Sequence, residues 1–308
     1  MRAGVRAVPP TRASKLISLD EAVAWVTPGT HLCVGGFSFH NRPAAFVRAL
    51  VKRRVGDLVL SSAPSSGYDA DLLIGAGLVR RTLLASVSFE HLGQAPSYRR
   101  AAEEGTIELV ECEEATIVGG LMAAAEGLPA HPVRSLRGSE IARVSPPAAR
   151  TVELDDEAFY LVPAPRPDVA VLHAQQADRF GNLRMLGGVF CDRLIAKASR
   201  RVIATVDELV PPEEIAREPQ RTTIPGYMVD AVVEVPWGAH PTSSHGRYLH
   251  DEEHLRAYLA AADATRRDPT SNALAAYIRA YVDEPADHQA YLACVGGDSR
   301  RRALRQDV

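Results

Sequence analysis

Short apolar runs alternate along this chain with stretches whose apolar residues recur every three or four positions, the pattern of strands feeding helices. Residues 32–34, Leu-Cys-Val, form an apolar run that stops at Gly35-Gly36. From Pro43 onward Ala44, Phe46, Val47 and Leu50 share one helical face, with the proline suited to the first turn. This reads as strand, glycine turn, helix. Ahead of it Ser18 and Glu21 stand three apart, a capping-box pair that predicts a first helix over 19–26. Residues 57–61 predict a strand, 69–76 a helix, 81–86 and 107–111 two more strands, and 117–126 a helix of small residues. In the second half 168–174, 201–206 and 228–235 are β-branched runs of the kind that buried parallel strands show. From Asp251 the positions of Leu255, Tyr258, Leu259, Tyr277, Ile278 and Tyr281 predict two or three amphipathic helices packed on the sheet.

Strands that alternate with helices across short loops define an α/β fold: an open, largely parallel sheet with helices on both faces and a helical C-terminus. The proline groups at 145–147 and 163–167 flank residues 152–160 and read as borders of a surface excursion, not as a linker. One domain over 15–308 follows, preceded by a disordered tail over 1–14. That tail carries Arg2, Arg6 and Arg12 but lacks the apolar stretch of a secretion signal, and no run approaches about 18 apolar residues.

Composition narrows the function. At 308 residues and 46% hydrophobic content the chain can bury a large core. Charged residues make up 24% and nearly cancel to a net −3, so no overall basic field favours nucleic acid or an anionic membrane. Cys33, Cys112, Cys191 and Cys294 are scattered, without a C-x-x-C pair or a histidine at ligand spacing. They read as reduced thiols in a cytoplasmic protein, and no metal is expected.

The chemistry gathers at three places. Gly35 and Gly36 let backbone approach a ligand closely while the following helix aims free N–H groups at the same spot, so the turn is a candidate oxyanion or anion site. Glu108, Glu111, Glu113 and Glu114 crowd a predicted strand end, where ligands bind in open parallel sheets. Of these Glu114 directly precedes the small apolar helix, and partial burial there would raise its pKa and make it a general base. Arg134, in the proline-braced stretch Pro129-Ala-His-Pro132-Val-Arg134-Ser135-Leu-Arg137-Gly138, is a candidate bidentate clamp for a carboxylate or phosphate.

These motifs resemble the α (A) subunits of family I coenzyme A transferases. Residues 32–37, an apolar triplet followed by Gly-Gly-Phe37, with Pro43 six residues on, match that family's glycine signature, with Asn41 where another glycine usually stands. The 129–138 stretch, Ala177-Asp178 through Gly181-Asn182, and Pro236-Trp237-Gly238-Ala239-His240-Pro241 match further landmarks in the expected order, over roughly 15–262. The resemblance implies the CoA transferase-like fold, coenzyme A as substrate thioester, and a B subunit of the same fold, with α2β2 a fitting assembly. It places Gly35, Gly36 and Glu114 in catalysis, and Arg134, Ser135, Phe37 and Asn41 near substrate. The family's Ser-Glu-Asn-Gly tetrad, normally on the B subunit, does not occur here. Glu114 followed twenty residues later by Arg134 resembles the A subunits of two-subunit hydrolases that open a CoA-linked ring. That implies carbon–carbon bond hydrolysis with Glu114 as base. CoA transfer through a B-subunit glutamate is the alternative, and a non-catalytic acyl-CoA-binding protein is a third.

Overall fold

In the computed structural model residues 12–144 and 150–306 are described. Most of the 1–14 segment and the proline group at 145–147 therefore lie outside the described residues. The strands are β1 (His31–Val34), β2 (Leu58–Ser62), β3 (Val79–Leu83), β4 (Glu108–Val110), β5 (Ala130–Val133), β6 (Arg150–Leu154), β7 (Glu157–Pro163), β8 (Val169–Ala177), β9 (Leu183–Arg184), β10 (Arg201–Leu209) and β11 (Ala231–Glu234). The main sheet runs β11-β10-β8-β1-β2-β3-β4 with every neighbour parallel, and β9 pairs antiparallel with β8.

Alternation along these strands builds two cores. Leu32, Val34, Val169, Val171 and Ile203 point to one face, whereas Cys33, Ala170, Leu172, Val202 and Ala204 point to the other. The helices, in chain order, are α1 (Leu19–Val23), α2 (Ala44–Lys52), α3 (Tyr68–Gly75), α4 (Pro96–Glu104), α5 (Glu114–Ala125), α6 (Ile141–Val144), α7 (Asp192–Ala198), α8 (Pro212–Arg217), α9 (Glu252–Arg267), α10 (Ala273–Ile278), α11 (His288–Cys294) and α12 (Gly297–Leu304). Phe46, Leu50, Leu72, Leu255 and Tyr258 fill the first core from α2, α3 and α9, and Ile117, Leu121 and Ile195 fill the second from α5 and α7. Both faces of the sheet are thus covered, as a parallel sheet requires.

The capping box of α1 forms as expected, although the α-helix ends at Val23. Pro43 stands one position before the first residue of α2. Among the described residues the C-terminal layer contains four helices plus a wide turn over Arg279–Asp283, more than the two or three expected. Strands β5, β7 and β6 form a separate three-stranded antiparallel sheet, order β5-β7-β6, with β5 and β7 seated on α5. Its fit depends on Gly119 and Gly120: a Cβ at the first would stand 2.8 Å from His131 and at the second 2.8 Å from Pro165.

From β1 the chain steps through β2, β3 and β4 to one side, then returns to place β8 on the other side of β1. The strand order reverses at the β1/β8 boundary, so the crevice at the carboxyl end of β1 is the place where an open α/β sheet receives its ligand. Gly35-Gly36 occupies that end.

Candidate active site at the glycine corner

Gly36 has φ 83°, and a Cβ there would lie 2.6 Å from the carbonyl oxygens of both His40 and Asn41. Only glycine fits. The tight loop behind it closes with reciprocal bonds between Phe37 and His40, N–H to O at 2.9 and 2.7 Å. Asn41, in the place of a further glycine, adopts φ 54°, a left-handed conformation that asparagine tolerates. It is buried, and its side-chain oxygen accepts from Gln175 Nε2 at 2.7 Å. Gln175 on β8 also donates to Ser244 and accepts from the Leu186 N–H. Asn41 is therefore a fastener between the glycine loop and β8, with its side-chain oxygen already engaged.

Arg42, fully buried, lies beneath the corner. It donates to the carbonyls of Gly35, Ser38 and Ser65 and to Ser62 Oγ, with Asp69 Oδ2 at 3.4 Å as counter-charge. The sequence reading of the corner as an anion hole needs correction on this geometry. The Gly35 N–H donates to Val171 O at 2.9 Å, the Gly36 N–H to Asp192 Oδ1 at 2.8 Å, and the Ser38 N–H to Ser65 O at 2.8 Å. These amides are engaged inside the protein.

Asp192, the first residue of α7, is the partner that sequence reasoning missed. It is fully buried, its Oδ2 has no hydrogen-bond partner among the described residues, and burial pushes its pKa up to about 6 against the opposing pull of the Gly36 N–H. A Cβ on Gly35 would fall 2.2 Å from Asp192 Oδ1, so that glycine is what admits the carboxyl. Just before it, Cys191 has its pKa raised by burial, then by the charges of Asp192 and of Glu114. Helix α7, whose first residue Asp192 accepts from the Gly36 N–H, packs against α5, whose first residue is Glu114.

Glu114 is the first residue of α5, while Glu113 caps that helix by accepting from Ala115 N and Thr116 N at 2.9 and 3.0 Å. Glu114 is exposed; the partial burial expected of it does not come from this chain. Ser135 donates to Glu113 Oε1 at 2.6 Å, which brings the end of β5 against the start of α5. Arg134 beside it is 63% exposed, pairs with Glu157, and stacks over Phe159 at 5.1 Å. It does not point inward. Next to the glycine corner Phe37 stacks on Phe190 at 4.6 Å and 13°, with His40 against the same ring. Cys33 and Cys112 are poor nucleophiles, since burial pushes both up to about 12.

The other two landmarks are structural. Asp178 closes the turn before Gly181 by accepting from Phe180, Asn182 N and Asn182 Nδ2. Trp237 stacks on Tyr248 at 4.1 Å, and His240 is buried between Tyr291 and Asp251.

A family model described as coenzyme A transferase matches residues 16–235. The chain is 32% identical over 302 residues to the A subunit of glutaconate CoA-transferase from Acidaminococcus fermentans, covering 92% of each. The crystal structure of that organism's glutaconate coenzyme A-transferase superposes with a TM-score of 0.89, over 95% of this chain and 96% of the other, at 30% identity. The cholesterol ring-cleaving hydrolase IpdA subunit of Mycobacterium tuberculosis is 33% identical over 259 residues, 80% of this chain and 88% of the relative. An uncharacterized protein of Archaeoglobus fulgidus is 34% identical over 298 residues, and the chain spans 65% of its length.

Proposed function

The chain belongs to the coenzyme A transferase family, and from that membership we propose that it is the A subunit of a two-subunit enzyme acting on an acyl-CoA thioester. The partner is a B subunit of the same fold in an α2β2 assembly. The reaction is hydrolytic cleavage of a carbon–carbon bond in a β-keto CoA ester. Glu114 carries this reading: an exposed carboxylate that opens α5, the helix packed on α7, whose Asp192 holds the Gly36 N–H.

In that reaction Glu114 takes a proton from water, and the hydroxide adds to the keto carbon. The carbon–carbon bond then breaks toward the thioester, leaving an enolate that receives the proton back from Glu114. Arg134 receives a substrate carboxylate, exchanging its exposed pair with Glu157, a surface contact worth little. Phe37 and Phe190 supply an apolar wall for the acyl group.

A second reading is CoA transfer between carboxylic acids through a covalent glutamyl thioester on the partner. The close superposition on the glutaconate transferase favours it. One experiment separates the two in the reconstituted complex. Loss of turnover in Glu114→Ala, with no hydroxylamine-sensitive thioester on the partner, supports hydrolysis. Unchanged turnover with a trapped partner glutamate overturns it in favour of transfer.

A further inference from the structure

Beside the loop that leaves the glycine corner, three donors of metal-binding type converge from two distant segments. His91 lies in the single turn Glu90–Leu92, His250 in the loop before α9, and Glu252 is the first residue of α9. One ligand atom from each lies within 4.8 Å of the other two. His91 Nε2 stands 3.5 Å from Glu252 Oε2, too long for a strong hydrogen bond. It is close to the roughly 3.4 Å that separates two ligands on a tetrahedral ion with bonds of about 2.0–2.1 Å.

The donors are oriented from behind. Phe39 stacks on the His250 ring at 4.9 Å and 23° and meets His91 edge-on at 6.0 Å. Glu252 Oε1 accepts from Arg256 Nε and Nη2 at 2.9 and 2.7 Å, and Oε2 faces His91. Such an arrangement behind a ligating carboxylate fixes its free oxygen, as outer-shell partners do in metal sites. Arg256 is also the positive charge that an incoming cation must tolerate. His91 is 58% and Glu252 45% exposed on the open side, which leaves room for water to complete a coordination shell.

We propose that His91, His250 and Glu252 form a site for a divalent transition metal ion of the zinc type. Two imidazoles and one carboxylate favour zinc, copper or nickel over magnesium or calcium, which prefer all-oxygen shells. The site departs from the sequence expectation of no metal. That expectation rested on cysteine and histidine spacing, and residues 91 and 250 have no local spacing to read. Phe39, which packs on both histidines, belongs to the loop closed behind Gly36, so an ion here braces that loop from outside.

The test is calorimetric titration of tag-free, metal-stripped protein with Zn²⁺ alone, repeated with Co²⁺ and read by visible absorption. The expected result is one equivalent bound with a micromolar or tighter Kd, and binding at least tenfold weaker in both His91→Ala and His250→Ala. Because His91 is exposed, His91→Ala should melt like the parent in the absence of metal, which separates lost ligation from lost fold. Absence of saturable one-equivalent binding below about 100 μM Zn²⁺ overturns the proposal. So does binding in either variant as strong as in the parent.

Discussion

Glu114 and Arg42 make opposite demands on mutagenesis. Glu114 is exposed and ends a capped helix start, so Glu114→Ala should leave the thermal midpoint of the chain unchanged. With the partner present, turnover should fall by about 10²–10⁴-fold, the usual weight of a general base, as a steady-state assay would read. Arg42→Ala removes the charge that faces buried Asp69 and frees the carbonyls of Gly35, Ser38 and Ser65. Urea titration should show a loss of about 3–5 kcal/mol, the cost of breaking a buried pair from one side. The strand, glycine turn and helix around Gly35 and the small-residue helix α5 were legible in the sequence because each is a local pattern: two glycines after an apolar run, one acid before a run of small residues. Asp192 and Gln175 were not. Their meaning comes from Gly36 and Asn41, whose partnership lies 156 and 134 residues away in the chain. The same distance hid the fact that the corner's amides are already engaged.

Among the elements, the central strands β1, β8 and β10 were readable because they are buried on both faces over most of their length and so carry apolar runs. The small β5-β7-β6 sheet was not. β6 is mostly exposed, with only Val152 partly covered, so neither alternation nor an apolar run marks it. α4 was missed for a related reason: its Arg99, Arg100, Glu103 and Glu104 leave few apolar positions, and Pro96 at its start is the main signal. Helix α5 carries a prediction of its own. Glu113 caps it and also accepts from Ser135, so Glu113→Ala should cost about 1 kcal/mol in denaturant unfolding. Ser135→Ala should cost less, because the cap to the backbone survives.

Across the whole molecule, buried titratable groups set a pH response. His254 is pushed down to about 3 by burial and by the neighbouring charge of His240, and His31 to about 4 by burial. Both have folded pKa values below the unfolded value of about 6.5, so the unfolded chain binds the extra protons and stability falls as pH drops through that value toward 4. Asp192 acts oppositely. Its folded pKa, raised to about 6, favours the folded state below the unfolded value of about 3.8 and loses that contribution as pH rises through about 6. The two histidines span more pH units than Asp192 does. Thermal melts from about pH 7.5 to about 4.5 should therefore show a declining midpoint, shallower in His254→Gln if that variant folds; a midpoint that rises on acidification would count against buried neutral histidines. The fold-level reading from sequence, a parallel α/β sheet covered on both faces, matches the structure. Among the described residues no helix is long and apolar enough to cross a membrane.

The missing side chains at Gly119 and Gly120 set a spacing as well as a fit. Helix α5 bears Glu114 at one end, and the strand leaning on its middle leads directly into Arg134. A methyl group at Gly119 would act as a shim against His131 and Val133, lifting that strand off the helix and moving the cation away from the acid without touching either; one at Gly120 would press instead on Pro163 and Pro165 at the end of β7. The gap between Glu114 and Arg134 is thus gauged at Gly119, a position that carries no side chain of its own.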